Sequence, residues 1–163
     1  MVSLVGCGNE NPSQDMKVQS SEDHEIGFYS TDEACFVIET KYGTLEYPEK
    51  WKEITKTEIV DSDQYSVKFF CITSAGDIPL FDLHFGGGKG FLLGTLPQDG
   101  RNISVYLDSF EIDQTSMTEE EYFNCCAMEE DVNVIISRLI EKNGLVLSGN
   151  DSTSELPDSM IYF

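Results

Sequence analysis

Apolar and polar residues alternate from Phe36 to Leu107, and turn residues interrupt the alternation at regular intervals. The densest part is YSVKFFCITSAGDIPLFDLHFGGGKGFLLGTL, running from Tyr65 to Leu96. A period of two sends every second side chain to the same face, so the pattern predicts an antiparallel sheet with one buried face. Cys35 to Thr40 and Tyr42 to Tyr47 are extended, and Pro48 stops the second stretch because proline has no N–H to give a ladder. The turn at Glu49-Lys-Trp51 lowers the single tryptophan onto the sheet, and Lys52 to Val60 is a further strand with Ile54 and Ile59 inward. Tyr65 to Thr73 and Ile78 to Phe85 make a hairpin around Ser74 to Asp77. Tyr65, Val67, Phe69 and Cys71 share its buried face, and Pro79 belongs at an edge or a strand start. Phe91 to Leu96 and Ile103 to Leu107 complete a sheet of about six strands.

The period then lengthens to that of a helix. Cys125, Met128, Val132, Ile135, Ile136 and Leu139 form one apolar stripe, which predicts a helix from Thr118 to Lys142, about 35 Å long, across one sheet face. Ser116 and Glu119 have capping-box spacing, Glu119, Glu120 and Glu121 suit the positive end of the helix dipole, and Gly144 is the stop signal. Glu129, Glu130 and Asp131 read as a solvated face rather than a metal cluster. The fold class is therefore α+β, an antiparallel sheet of about six strands packed by one long C-terminal helix. Residues 1–33 form a polar, acidic leader, 34–147 a single domain, and 148–163 a polar tail ending in the small apolar group Met160 to Phe163.

Charge narrows the function classes. Thirty acidic residues against ten basic ones leave a net charge of −20. Such a surface repels phosphate backbones and anionic head groups, so nucleic acid and direct membrane docking are excluded as partners. The charge suits solubility, or a partner with a basic face.

Catalytic and metal motifs are weak. Asp61 and Asp63 lack the further oxygen ligands and the glycine of a calcium loop. Gly86-Gly-Gly-Lys-Gly90 places glycine after its lysine and leads into a strand, unlike a phosphate-binding loop, and reads as a permissive hairpin connection. His84 falls on the face opposite Leu83 and Phe85. Without an oriented partner and a nucleophile it makes a poor general base, so no catalytic residue, metal or cofactor is expected. His24 lies in the polar leader and is expected to be solvated. The five cysteines contain no C-x-x-C pair. Cys125 and Cys126 diverge by about 100° on a helix; free buried thiols are the default reading, with Cys35 and Cys71, on neighbouring strands, as the one possible disulfide to test.

Leu4-Val5-Gly6-Cys7 matches the bacterial lipobox, whose cysteine is acylated after signal cleavage. The leader from Gly8 to Asp32 has the composition of a lipoprotein tether, with a reach of roughly 25–30 Å. Only six residues precede Cys7, fewer than a signal peptide needs. The match therefore places the true start upstream, or else it is a chance match.

The stretch Ile38-Glu-Thr-Lys-Tyr-Gly-Thr-Leu-Glu-Tyr-Pro-Glu-Lys-Trp51 resembles small uncharacterised lipoproteins of anaerobic Gram-positive bacteria. The likeness continues through Leu80-Phe81, Leu93-Gly-Thr-Leu96 and Ala127-Met-Glu-Glu-Asp-Val-Asn133. It implies a location rather than an activity. A fainter likeness is to PsbP-like domains, which share a Tyr-Pro…Trp opening, an antiparallel sheet and a long C-terminal helix, and which act mainly as accessory or binding proteins. The expected function is a non-enzymatic accessory or binding module on the extracytoplasmic face, anchored to the membrane through a lipid on Cys7, with its ligand unspecified. The alternatives are a soluble intracellular interaction or regulatory domain with a basic partner, and a hydrolase centred on His84.

Overall fold

The computed structural model describes residues 33–149. Cys7, His24 and the tail from residue 150 lie outside the described residues. Eight strands and two helices follow in order: β1 (Cys35–Thr40), β2 (Gly43–Pro48), β3 (Thr55–Val60), β4 (Tyr65–Thr73), β5 (Gly76–Phe85), β6 (Phe91–Gln98), β7 (Arg101–Ser109), α1 (Glu119–Glu130), α2 (Val132–Asn143) and β8 (Val146–Leu147). The fold is α+β, as the two periods in the sequence predict.

The strands do not form one sheet. β3 to β8 make a six-stranded antiparallel sheet in the order β3-β4-β5-β7-β6-β8, whereas β1 and β2 pair only with each other. The small hairpin lies against the inner face of the large sheet. Tyr47 of β2 packs edge-on to Phe69 and Phe81, and Tyr42 stacks on Phe85 at 5.3 Å. Helix α2 packs on β2, while α1 reaches β4 and β5. Hairpin and helices together bury the face formed by Tyr65, Val67, Phe69, Cys71, Leu83, Phe85, Val105 and Leu107. Pro79 sits in β5 beside a bulge, where β5 has β4 on one side and β7 has not yet joined on the other. A missing N–H costs no ladder bond on such an unpaired side.

Three local expectations need correction. The stretch before β3 is a 3-10 helix, Glu49–Ile54, so β3 starts at Thr55, and Ile59 is about half exposed on this edge strand. The capping box is made by Thr118 and Glu121 rather than Ser116 and Glu119, because Ser116 closes a separate 3-10 turn, Gln114–Ser116. The helical segment is 25 residues long but is interrupted at Asp131. Carbonyls in the last turn of a helix lack intrahelical partners, and here the buried Tyr47 hydroxyl donates to the Met128 carbonyl. Trp51 Nε1 donates to Asp131 Oδ2 at 2.6 Å, and Lys50 Nζ lies 2.8 Å from the same oxygen. The tryptophan thus packs against the core with its indole N–H tied to the helix interruption. Asp131 and Glu129 are half-buried, the latter beside Ser109, and of the three acids expected on a solvated face Glu130 alone is fully exposed.

Candidate functional site

Among the described residues no helix covers the outer face of the large sheet, and its register lines up polar side chains from separate strands. One row crosses five strands as Val60, Ser66, His84, Tyr106 and Leu92. The next row is Glu58, Lys68, Asp82 and Asp108. Val60, Ser66 and His84 of the first row and Lys68, Asp82 and Asp108 of the second floor a groove of about 350 Å³, closed at its ends by Ser62, Gln64, Phe110 and Lys89. That volume is at the small end of the range for ligand sites, about 300–1,000 Å³.

Burial makes this floor unusual. Ser66 and Asp82 are the buried polar residues of the described domain, at 4% and 7% exposure. Both ring nitrogens of His84 are buried with no hydrogen-bond partner. A neutral imidazole has one donor and one acceptor nitrogen, and leaving such groups unpaired in a protein interior costs about 1–3 kcal/mol each. The loop over residues 86–90 causes the burial. A Cβ at Gly88 would stand 2.5 Å from the His84 Cβ and 2.6 Å from its Cγ, so only glycine lets the backbone lie on the ring.

Asp82 and Asp108 are direct cross-strand neighbours, a juxtaposition of like charges that is unfavourable by itself. Burial pushes the Asp82 carboxyl above its ordinary range, Lys68 and His84 pull it back, and Asp108 adds to the rise. Lys68 Nζ stands 4.0 Å from Asp82. Two carboxylates and two ammonium groups therefore line one small groove. This is a charge-balanced site on a strongly acidic chain.

His84 lies opposite Leu83 and Phe85, as the alternation predicts. Ser66 pairs with it across the strands, but no hydrogen bond joins the two side chains. Ser66, Lys68 and Asp108 carried no mark of a site in the sequence, and Lys89 was marked only by its glycine neighbours. The available signal was the pair of polar residues in Leu80-Phe-Asp-Leu-His-Phe85, both on the face away from the core.

The cysteines follow the default expectation of free thiols and depart from the Cys35–Cys71 pairing. The four described cysteines are free. Cys35 and Cys71 belong to separate sheets: β1 pairs with β2, and Cys71 faces Thr55 and Ile78 across its own ladders. Cys35 lies beside Arg138 and Glu46, and Cys71 meets Cys125 instead. Cys7 lies outside the described residues. No group of three metal-ligating side chains converges among the described residues.

Fold and groove define a small α+β domain with a polar site on the open face of its sheet. No protein-family description, curated protein or solved structure matches the chain.

Proposed function

We propose that the protein is a membrane-tethered, extracytoplasmic binding module without enzymatic activity, and that its ligand site is the groove around His84. The observation that carries the binding site is the buried, unpartnered imidazole beside the Asp82–Asp108 pair. A ligand with an acceptor for His84 and a cationic donor for the carboxylates would satisfy both. The balance of Lys68 and Lys89 against those carboxylates favours a small amphoteric molecule, with ammonium and carboxylate groups on one frame. Entry requires the 86–90 loop to lift from the ring, and its four glycines lower the conformational barrier to doing so. The non-enzymatic reading rests on the sequence motifs, none of which pairs His84 with a nucleophile. The tethered location is supported by the lipobox match at Leu4–Cys7 and by the likeness of Ile38–Trp51 to small lipoproteins.

A thermal-shift screen with free amino acids and short unblocked peptides tests the site. Binders should raise the melting temperature of the wild-type chain and leave His84→Leu unmoved. A binder that stabilises both chains equally would place its site elsewhere, and a panel with no binder would count against the amphoteric ligand class. The runner-up, an intracellular domain with a basic partner, is motivated by the net charge of −20. Capture of a lysine-rich peptide that weakens steeply with salt, unchanged in His84→Leu, would favour it.

A further inference from the structure

Cys71 and Cys125 stand 54 positions apart in the chain, yet both are buried in the same core. Cys71 comes from the inner face of β4 and Cys125 from the buried stripe of α1, with exposures of 1% and 0%. Helix α1 packs against β4, and there each thiol shifts the titration of the other, Cys125 lowering Cys71 and Cys71 raising Cys125. The other described cysteines are engaged elsewhere. Cys126 turns to Tyr122, and Cys35 to Arg138.

We propose that Cys71 and Cys125 form a structural disulfide when the chain folds in an oxidising compartment, pinning α1 to β4. Disulfide geometry is narrow, with sulfurs about 2.05 Å apart, and both thiols already lie in one core, on a helix and a strand that pack together. The step is an exchange with a small-molecule disulfide. One protein thiolate attacks it and releases one small thiol. The second protein thiolate then attacks the mixed disulfide, forming the protein S–S bond and releasing the second small thiol. The protein gives up two electrons and two protons, and the small disulfide takes them. Burial raises both thiols above their ordinary range, so reaction in the folded state is slow and the bond forms during folding.

The bond has a structural consequence. The covalent loop it closes contains β5, the glycine loop, β6, β7 and the start of α1, and with them Asp82, His84, Lys89, Asp108 and Phe110. Half of the groove's lining would then stand on a closed ring of chain. The inference stands whether or not that groove binds a ligand.

Refolding the full, reduced chain in a buffer of oxidised and reduced glutathione tests it. The expected product is lighter by two hydrogens, keeps three of its five thiols titratable in denaturant, and yields a Cys71–Cys125 peptide on non-reducing digestion. Its melting temperature should exceed that of the reduced form by on the order of 10 °C. Cys71→Ala should lose both the linked peptide and the redox dependence of melting. Cys35→Ala should keep both, and it decides the matter if Cys71→Ala fails to fold. Five free thiols after refolding, or a linkage joining Cys71 to Cys35, would overturn the proposal.

Discussion

Two aspartates show how single side chains set this molecule's properties. Asp131 holds the interrupted helix to the segment that follows β2, accepting from Trp51 Nε1 and pairing with Lys50. Its side chain is 15% exposed, so Asp131→Ala leaves a half-buried indole N–H without its partner. The expected cost is about 1–3 kcal/mol, read as a lower urea midpoint. Lys50→Ala should cost under about 1 kcal/mol, because the ammonium is half exposed and such pairs are weak. Asp82 acts in the opposite sense. Its carboxyl titrates above 3.8 in the fold, so the folded state holds the proton more tightly than the unfolded chain. Its contribution to stability therefore grows as pH falls through the raised value toward 3.8 and is smallest at neutral pH. Asp82→Asn should raise the melting temperature at neutral pH and shrink that pH dependence. The alternation around Leu83 and Phe85 was enough to send Asp82 and His84 to the outer face. It could not say that Ser66, Lys68 and Asp108 would stand beside them, because that depends on which strands neighbour β5.

The start of α1 is the element most open to direct test. The Thr118 hydroxyl accepts from the Glu121 N–H, and the Glu121 carboxylate accepts from the Thr118 N–H at 2.8 Å. Thr118→Ala should cost about 1 kcal/mol, whereas Ser116→Ala should stay within about 0.5 kcal/mol, both measured by chemical denaturation. Equal effects would contradict the assigned cap. The same carboxylate accepts from the Ser74 N–H at 2.6 Å and from its hydroxyl, tying the helix to the β4–β5 turn. Those bonds, with the one from Thr118, lower Glu121 from 4.5 to about 2. A depressed carboxyl contributes stability that is complete above its unfolded value and is lost as pH falls from 4.5 to about 2. Glu121→Gln should flatten the acid limb of the melting curve across that window. The capping chemistry was visible in Ser116-Met-Thr-Glu-Glu-Glu121, but two boxes of equal spacing overlap there. The 3-10 turn that takes up Ser116 decided between them, and no periodicity announces such a turn. The separate β1–β2 hairpin was hidden for a similar reason, since alternation marks a strand without naming its partner.

At the scale of the whole molecule, one face of the sheet is closed by the hairpin and both helices, and the other is left to a polar groove under a glycine loop. That asymmetry suits a domain that presents one working surface. The chain's net charge of −20 keeps such a body away from anionic lipid, which fits a tether better than a surface-bound protein. The proposed tether also bears on the cysteines, because an extracytoplasmic compartment would supply the oxidising conditions in which disulfides persist. The measurement that tests this account most directly is the mass of the N-terminal peptide of the protein isolated from its native cells. A peptide that begins at Cys7 and carries a diacylglycerol adduct is the expected result. An unmodified peptide beginning at Met1 would contradict the tethered, extracytoplasmic assignment.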